Sequence, residues 1–280
     1  MPDAYVLFGF PVQHSWSPFI HGMFARQTGQ DMTYRLLEST PEAFRRDALA
    51  FFSEGGCGCN ITLPHKRAAA DLVNELTPRA QAADAVNTIG RRDGLLIGDN
   101  TDGAGLIRDL VDNLGLAFRQ PRILLLGAGG AARGVLGPLL DLQPQALVIG
   151  NRTIERAREL AAEFEDRGPV SAVDFPGVRP QRFDLIVNAT SASLKGDVVA
   201  IPDAVVDSTT ACYDMAYGVG ETPFTAWARR LGARVAAQGW GMLVEQAAEA
   251  FCLWRGVRPD TRPVLAALRE RAAAKARNPS

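Results

Sequence analysis

Two hydroxyls two residues apart, Ser15 and Ser17, follow a short apolar segment and precede a helical pattern in Gly9-Phe10-Pro11-Val12-Gln13-His14-Ser15-Trp16-Ser17-Pro18. Hydroxyls so placed can hold a carboxylate, though Ser17 suits the cap of that helix equally well. A second polar group is Asn60-Ile61-Thr62-Leu63-Pro64-His65-Lys66, and a third is Gly98-Asp99-Asn100-Thr101-Asp102-Gly103. A compact α/β domain has no packing need for such residues at strand ends and turns. Proton-exchanging side chains are otherwise scarce. Among thirty basic residues only Lys66, Lys195 and Lys275 are lysines, and the three histidines, His14, His21 and His65, all fall within the first 65 residues. No two histidines have metal-ligand spacing and none has a carboxylate at a fixed offset, so they read as structural or hydrogen-bonding groups and no metal is expected. Lys195 reads as a loop lysine and Lys275 as a tail charge.

The elements that must position these groups fall into two stretches. Residues 4–9 read as a buried strand, 17–28 and 41–54 as helices, 58–63 as a strand, 66–76 as a helix, and 85–89 and 95–98 as two strands around the turn Arg91-Arg92-Asp93-Gly94. This alternation predicts a small α/β domain. A cleaner pattern begins at Arg122-Ile-Leu-Leu-Leu-Gly127, with further strands at 146–149, 183–188 and 211–215 and a helix over 153–164. Short apolar strands separated by helices predict a parallel sheet covered on both faces. Residues 242–254 and 263–275 close the chain as helices.

Gly127-Ala128-Gly129-Gly130-Ala131-Ala132 lies between the apolar strand and a helix, which makes Gly-x-Gly-x-x-Ala a dinucleotide fingerprint of the Rossmann-like kind. Pyrophosphate would sit on the helix N-terminus, where free N–H groups and the dipole favour anions. The next strand ends in Asn151-Arg152-Thr153-Ile154-Glu155-Arg156 without a carboxylate at the strand end for a ribose 2′-hydroxyl. Arg152 can pair with a 2′-phosphate, Thr153 can cap the helix or donate its hydroxyl, and Arg156 follows one turn later. NADP is therefore expected over NAD.

With 280 residues, 47% apolar and 22% charged, the chain is an ordinary globular sequence of about two domains. A net charge of -1 gives no electrostatic case for nucleic acid or a membrane surface. The four cysteines contain only a Cys57-x-Cys59 pair, neither a zinc nor a disulfide pattern, and the start lacks the features of a signal peptide. A cytoplasmic protein is expected.

GFPVQHSWSP, NITLPHK, AVNT, GDNTDG, LLLGAGGAARG, NRT, NATS, YDMAY and GWGMLVEQAA together resemble the shikimate dehydrogenase family, in the family's order along the whole chain. The resemblance implies NADPH-dependent, reversible reduction of 3-dehydroshikimate to shikimate in aromatic amino-acid biosynthesis. It implies a two-domain α/β fold with a substrate domain of residues 1–103 plus 240–280, an NADP-binding domain of 104–239, and the active site in the cleft between them. Lys66 and Asp102 match the family's catalytic pair, which suits a ketone reduction that builds an alkoxide and needs a positioned proton donor. Ser15, Ser17 and Thr62 resemble the carboxylate-binding hydroxyls, and Asn60, Asn87, Asp102, Tyr217 and Gln246 those facing the substrate hydroxyls or carboxylate. Gly127, Ala128, Gly129, Gly130, Ala131, Asn151, Arg152, Thr153, Arg156, Thr190, Gly239 and Met242 map to the cofactor side. A monomer or homodimer is expected. Three positions depart from the pattern: Trp16, Ser193 in place of a glycine, and Gln238 in place of an Asp before Gly239. A glycine at 193 would be needed if the loop required a positive φ. A quinate/shikimate dehydrogenase using NAD and a catalytically silent NADP-binding paralogue are the alternatives; the Asn151-Arg152-Thr153 run opposes the first and the Lys66 and Asp102 pair the second.

Overall fold

The computed structural model describes residues 2–277. Residues 2–105 together with Leu243–Glu270 form one compact unit, and Leu106–Met242 with residues 271–277 form another. Trp240 and Met242 group with the second unit, whereas the sequence division put them in the first. Trp240 packs on Tyr217 at 4.7 Å between ring centres, and the Met242 N–H donates to Asp109.

The first unit contains β1 (Asp3–Gly9), α1 (Ser17–Thr28), β2 (Met32–Glu38), α2 (Phe44–Ser53), β3 (Gly58–Ile61), α3 (Lys66–Ala70), β4 (Glu75–Leu76), α4 (Pro78–Ala83), β5 (Thr88–Arg92) and β6 (Leu95–Asp99). Its sheet runs β2-β1-β3-β5-β6-β4. β1 pairs in parallel with β2 and β3, whereas β5 is antiparallel to β3 and β6. The register sets Leu7, Asn60, Thr88 and Asp99 in one row across four strands. Beyond that row lie the carboxyl ends of β1, β3 and β6 and the amino end of β5, so the three polar groups of the sequence emerge along one edge. Phe8 anchors the core beneath, meeting Phe44 and Phe51 edge-on at 5.7 and 6.1 Å.

α5 (Asp102–Arg108) continues into a π-helical turn, Asp109–Asn113. The second unit then holds β7 (Arg122–Leu126), α6 (Gly130–Asp141), β8 (Ala146–Asn151), α7 (Ile154–Ala162), β9 (Val170–Asp174), β10 (Leu185–Asn188), β11 (Ala211–Asp214), α8 (Pro223–Arg230) and β12 (Val235–Gln238). The order is β12-β11-β10-β7-β8-β9, parallel throughout. β7 and β10 at its centre are almost wholly buried, as the apolar runs required. α9 (Trp240–Arg255) and α10 (Arg262–Arg277) follow.

The strands that the sequence pattern did not reveal, β2, β4, β9 and β12, are the four sheet edges. Their residues are exposed or half-buried, so they carry no continuous apolar run. The helix expected over 66–76 stops at Ala70 because Glu75 and Leu76 pair with Ile97 and Gly98. Among the described residues no helix is long and apolar enough to cross a membrane.

Candidate functional site

Lys66 opens α3 and Asp102 opens α5, so both side chains leave short helices that start at the polar edge of the first sheet. The Lys66 Nζ donates to Asp102 Oδ2 at 2.6 Å, with the two side chains 25% and 14% exposed. Asn87 Nδ2 donates to the other carboxylate oxygen at 2.8 Å. Both oxygens are thus engaged, which fixes the plane of the carboxylate and aims the ammonium. Asn87 is held in turn: its Oδ1 accepts from the Thr101 N–H and the Thr88 hydroxyl, both at 2.9 Å. Gln246 Oε1 accepts from the Thr101 hydroxyl at 3.4 Å and from Asn87 Nδ2 at 3.5 Å. Lys66, Asn87, Asp102 and Gln246 therefore converge, although 180 residues of sequence separate the first from the last.

Behind this group, buried Asp99 receives Arg79 through both carboxylate oxygens at 2.7 and 2.5 Å, plus the Thr77 hydroxyl at 2.6 Å. Burial pushes the Asp99 carboxyl up, but the Arg79 bonds and charge outweigh it and hold the group below the usual carboxylate range. This anchors the strand end from which Asn100–Asp102 depart. Asp99 lies in the polar run Gly98–Gly103, but no local spacing links it to Arg79.

Ser15 Oγ accepts the Ser17 N–H at 3.2 Å and its hydroxyl donates to Ser17 Oγ at 3.1 Å. Ser17 itself does not cap α1; Trp16 is the capping position. Thr62 follows β3, and a Cβ on Gly9 would collide with its methyl group, so glycine there lets the β1 and β3 ends close up. Asn60 is only 6% exposed and its amide is committed inward, accepting from Tyr34 Oη at 2.7 Å and donating to Thr88 Oγ1 at 3.0 Å. Tyr34, which no local spacing links to Asn60, therefore orients it.

His65 stacks on Phe44 and donates from Nε2 to the Ser39 carbonyl at 2.7 Å. His21 stacks on Tyr34 at 4.2 Å, and neither ring nitrogen has a hydrogen-bond partner among the described residues. Burial lowers its pKa to about 3, so it is a neutral packing element.

In the second unit Gly127 has φ +109°, a conformation open to glycine, and a Cβ there would lie 3.2 Å from the Ala189 carbonyl. Gly129 and Gly130 face open space, and the N-cap Gly129 offers no side chain to the first-turn N–H groups of α6. Ala128 and Ala131 complete this turn. Asn151 ends β8 and donates to the Thr153 carbonyl at 2.8 Å. Thr153 is the N-cap residue of α7, but its side chain makes no capping bond. Arg152 and Arg156 are exposed. An open helix N-terminus at the end of β7, with Arg152 and Arg156 exposed just past the end of the neighbouring strand β8, suits a dinucleotide with a further phosphate, the NADP expected from the sequence.

The backbone runs in right-handed conformation through Ala192 into the 3-10 turn Ser193–Lys195, and the positive φ falls at Gly196, at +83°. Ser193 therefore does not force the loop into strain. Gln238 accepts from the Gly218 N–H at 2.9 Å and donates to the Gly220 carbonyl at 2.5 Å, bracing the loop after Tyr217. Gly239 is required because a Cβ would strike the Met215 carbonyl. Burial raises the Tyr217 pKa. Lys195 is exposed.

Sequence models of three domains match the chain: the shikimate dehydrogenase substrate binding domain over residues 7–89, shikimate/quinate 5-dehydrogenase over 109–198, and the shikimate 5′-dehydrogenase C-terminal domain over 239–269. The chain is 56% identical over 268 residues to a shikimate dehydrogenase (NADP(+)) of Aeromonas hydrophila, covering 95% of this chain and 97% of that one. Its fold is similar to that of an Ael1 enzyme from Pseudomonas putida, with TM-score 0.90 and 46% identity over 95% of this chain and 98% of the other. It is also similar to the Thermus thermophilus shikimate 5-dehydrogenase solved with NADP(H) and shikimate, with TM-score 0.85 and 32% identity over 96% of this chain and 99% of that one.

Proposed function

Because the chain belongs to the shikimate dehydrogenase family, we propose that it catalyses the NADP-dependent interconversion of 3-dehydroshikimate and shikimate in aromatic amino-acid biosynthesis, with Lys66 and Asp102 as its acid–base pair. The observation that carries the residue assignment is the Lys66–Asp102 contact at 2.6 Å with Asn87 holding the second carboxylate oxygen.

Reduction of a ketone adds a hydride to carbon and a proton to oxygen. Bound NADPH supplies the hydride. The Lys66 ammonium donates to the carbonyl oxygen, where negative charge develops, and gives up the proton that completes the alcohol. In the oxidative direction the same nitrogen takes the hydroxyl proton. Asp102 keeps the amine in place in both directions, and its own position is set by Asn87. Ser15, Ser17 and Thr62 offer hydroxyls to the substrate carboxylate, and Asn87, Tyr217 and Gln246 serve its remaining polar groups, while Asn60, expected among them, has its amide committed to Tyr34 and Thr88. A buried polar group left without its partner penalises analogues that lack a hydroxyl.

On the cofactor side Gly127, Ala128, Gly129, Gly130 and Ala131 admit the pyrophosphate. Asn151, Arg152, Thr153 and Arg156 receive the adenosine end with its 2′-phosphate, while Thr190, Gly239 and Met242 border the nicotinamide end. The unit that includes Lys66 takes the substrate, and the unit with Gly127 takes the cofactor. The protein works as a monomer or homodimer in the cytoplasm, a location supported by its four free thiols. The test is to supply purified protein with shikimate or quinate and with NADP or NAD while following reduced-cofactor absorbance. Turnover is expected with shikimate and NADP, and its absence from folded protein would overturn the assignment.

A further inference from the structure

Asp214, at the end of β11, is fully buried, and among the described residues its carboxylate forms no ion pair. Four donors serve it instead. Asn188 Nδ2 and the Ala216 N–H reach Oδ1 at 3.0 and 3.1 Å, and the hydroxyls of Ser193 and Thr222 reach Oδ2, both at 2.6 Å. Burial pushes this carboxyl above its ordinary value despite the donors, so each donor matters to an anion that water does not reach.

The same residues tie up the loop after β10. Asn188 Oδ1 accepts both the Thr190 N–H and the Thr190 hydroxyl, at 3.1 and 2.7 Å, and Thr190 Oγ1 accepts the Ala192 N–H at 3.2 Å. Thr190 and Ala189 lie against the fingerprint turn: a Cβ on Gly127 would be 3.3 Å from Thr190 Cγ2. Ser193 thus closes a chain of hydrogen bonds that runs from Asp214 through Asn188 to the residues packed on Gly127.

We propose that Ser193 is a positioning residue for the cofactor: through Asp214 it holds the 188–193 loop against the Gly127 turn and so sets the affinity for NADPH. The proposal rests on the reading of the chain as an NADP-dependent dehydrogenase. A glycine at 193 would lose the hydroxyl and add backbone freedom, so the loop would have to be ordered by the cofactor itself, at the expense of binding. A threonine retains the donor.

The test titrates NADPH into the full-length protein and follows cofactor fluorescence, so that the readout does not depend on turnover. Ser193→Ala is expected to weaken NADPH binding roughly tenfold, the loss of one hydrogen bond to a charged group. Ser193→Gly should be at least as weak, Ser193→Thr close to wild type, and the KM for shikimate should stay within about twofold, since only the cofactor loop is loosened. Asp214→Asn, which cannot accept the same four donors, should weaken NADPH further. Thermal melts establish that each variant is folded. NADPH affinity unchanged in both Ser193→Ala and Ser193→Gly overturns the proposal, as does a lowered melting temperature without loss of affinity, which would leave Ser193 a purely structural part. A wild-type chain that binds NADPH yet does not oxidise shikimate would instead refute the assigned reaction, while the affinity comparison would still decide the role of Ser193.

Discussion

The Lys66 ammonium and the Asp102 carboxylate meet at 2.6 Å across 36 residues of sequence, each at the first position of its own short helix. Their contact depends on the sheet register that brings the end of β3 beside the end of β6 through β5. Lys66→Ala should lower turnover by roughly 10²–10⁴-fold, the span for removal of a general acid or base. NADPH affinity should change by less than about twofold, since Lys66 is not among the groups proposed to hold the cofactor. Lys195→Ala is the control, expected to retain wild-type turnover. Steady-state kinetics of the two variants decide it, and an equal loss in Lys195→Ala would remove Lys66 from its assigned role.

Arg152 and Arg156 should set the choice between the two nicotinamide cofactors. Charge-assisted bonds to a phosphate are lost when either is truncated, so Arg152→Ala should reduce the NADP-over-NAD preference in kcat/KM by about 10–100-fold. Arg156→Ala should have a smaller effect in the same direction. NAD turnover should be nearly untouched. A fall in kcat/KM that is equal for NAD and NADP would show that the arginines do not read the phosphate.

Gly127→Ala should cost about 1–3 kcal/mol of stability, the usual strain of a non-glycine residue held in a disfavoured backbone region. The φ of +109° and the 3.2 Å approach of the Ala189 carbonyl both contribute. NADPH affinity should fall with it if, as proposed, the same turn receives the pyrophosphate. Urea unfolding and NADPH titration read the two effects, and a variant as stable and as tight as wild type would contradict the geometry.

His21 predicts an acid-side loss of stability. The unfolded chain takes up a proton there near the ordinary value of 6.5, whereas the folded protein resists until about 3. The unfolded state therefore binds more protons over that window, and stability is full above it and falls as the pH drops through it. At about 1.4 kcal/mol per pH unit, the loss between pH 7.5 and 5.0 is roughly 2 kcal/mol. Urea unfolding at the two pH values should show the wild type losing about that much more than His21→Leu. Equal losses in both proteins would mean that the imidazole does not resist protonation in the fold.

The sequence by itself marked the candidate chemistry-bearing positions wherever the signal is local. A glycine turn between an apolar strand and a helix, an arginine pair at the next strand end, and polar runs such as Asn60–Lys66 and Gly98–Gly103 are each read within a few residues. The buried central strands were legible for the same reason, since burial on both faces leaves an apolar run. Edge strands β2, β4, β9 and β12 were not, because half-exposed residues carry no such run. Only the tertiary structure decided the partners. Arg79 reaches Asp99, Tyr34 holds Asn60, Gln246 joins Asn87 and Thr101, and Ser193 closes on Asp214 over separations of 20, 26, 145 to 159, and 21 residues. Hydrogen bonds require contact within about 3 Å, and strand register and helix packing, not spacing along the chain, bring such groups together.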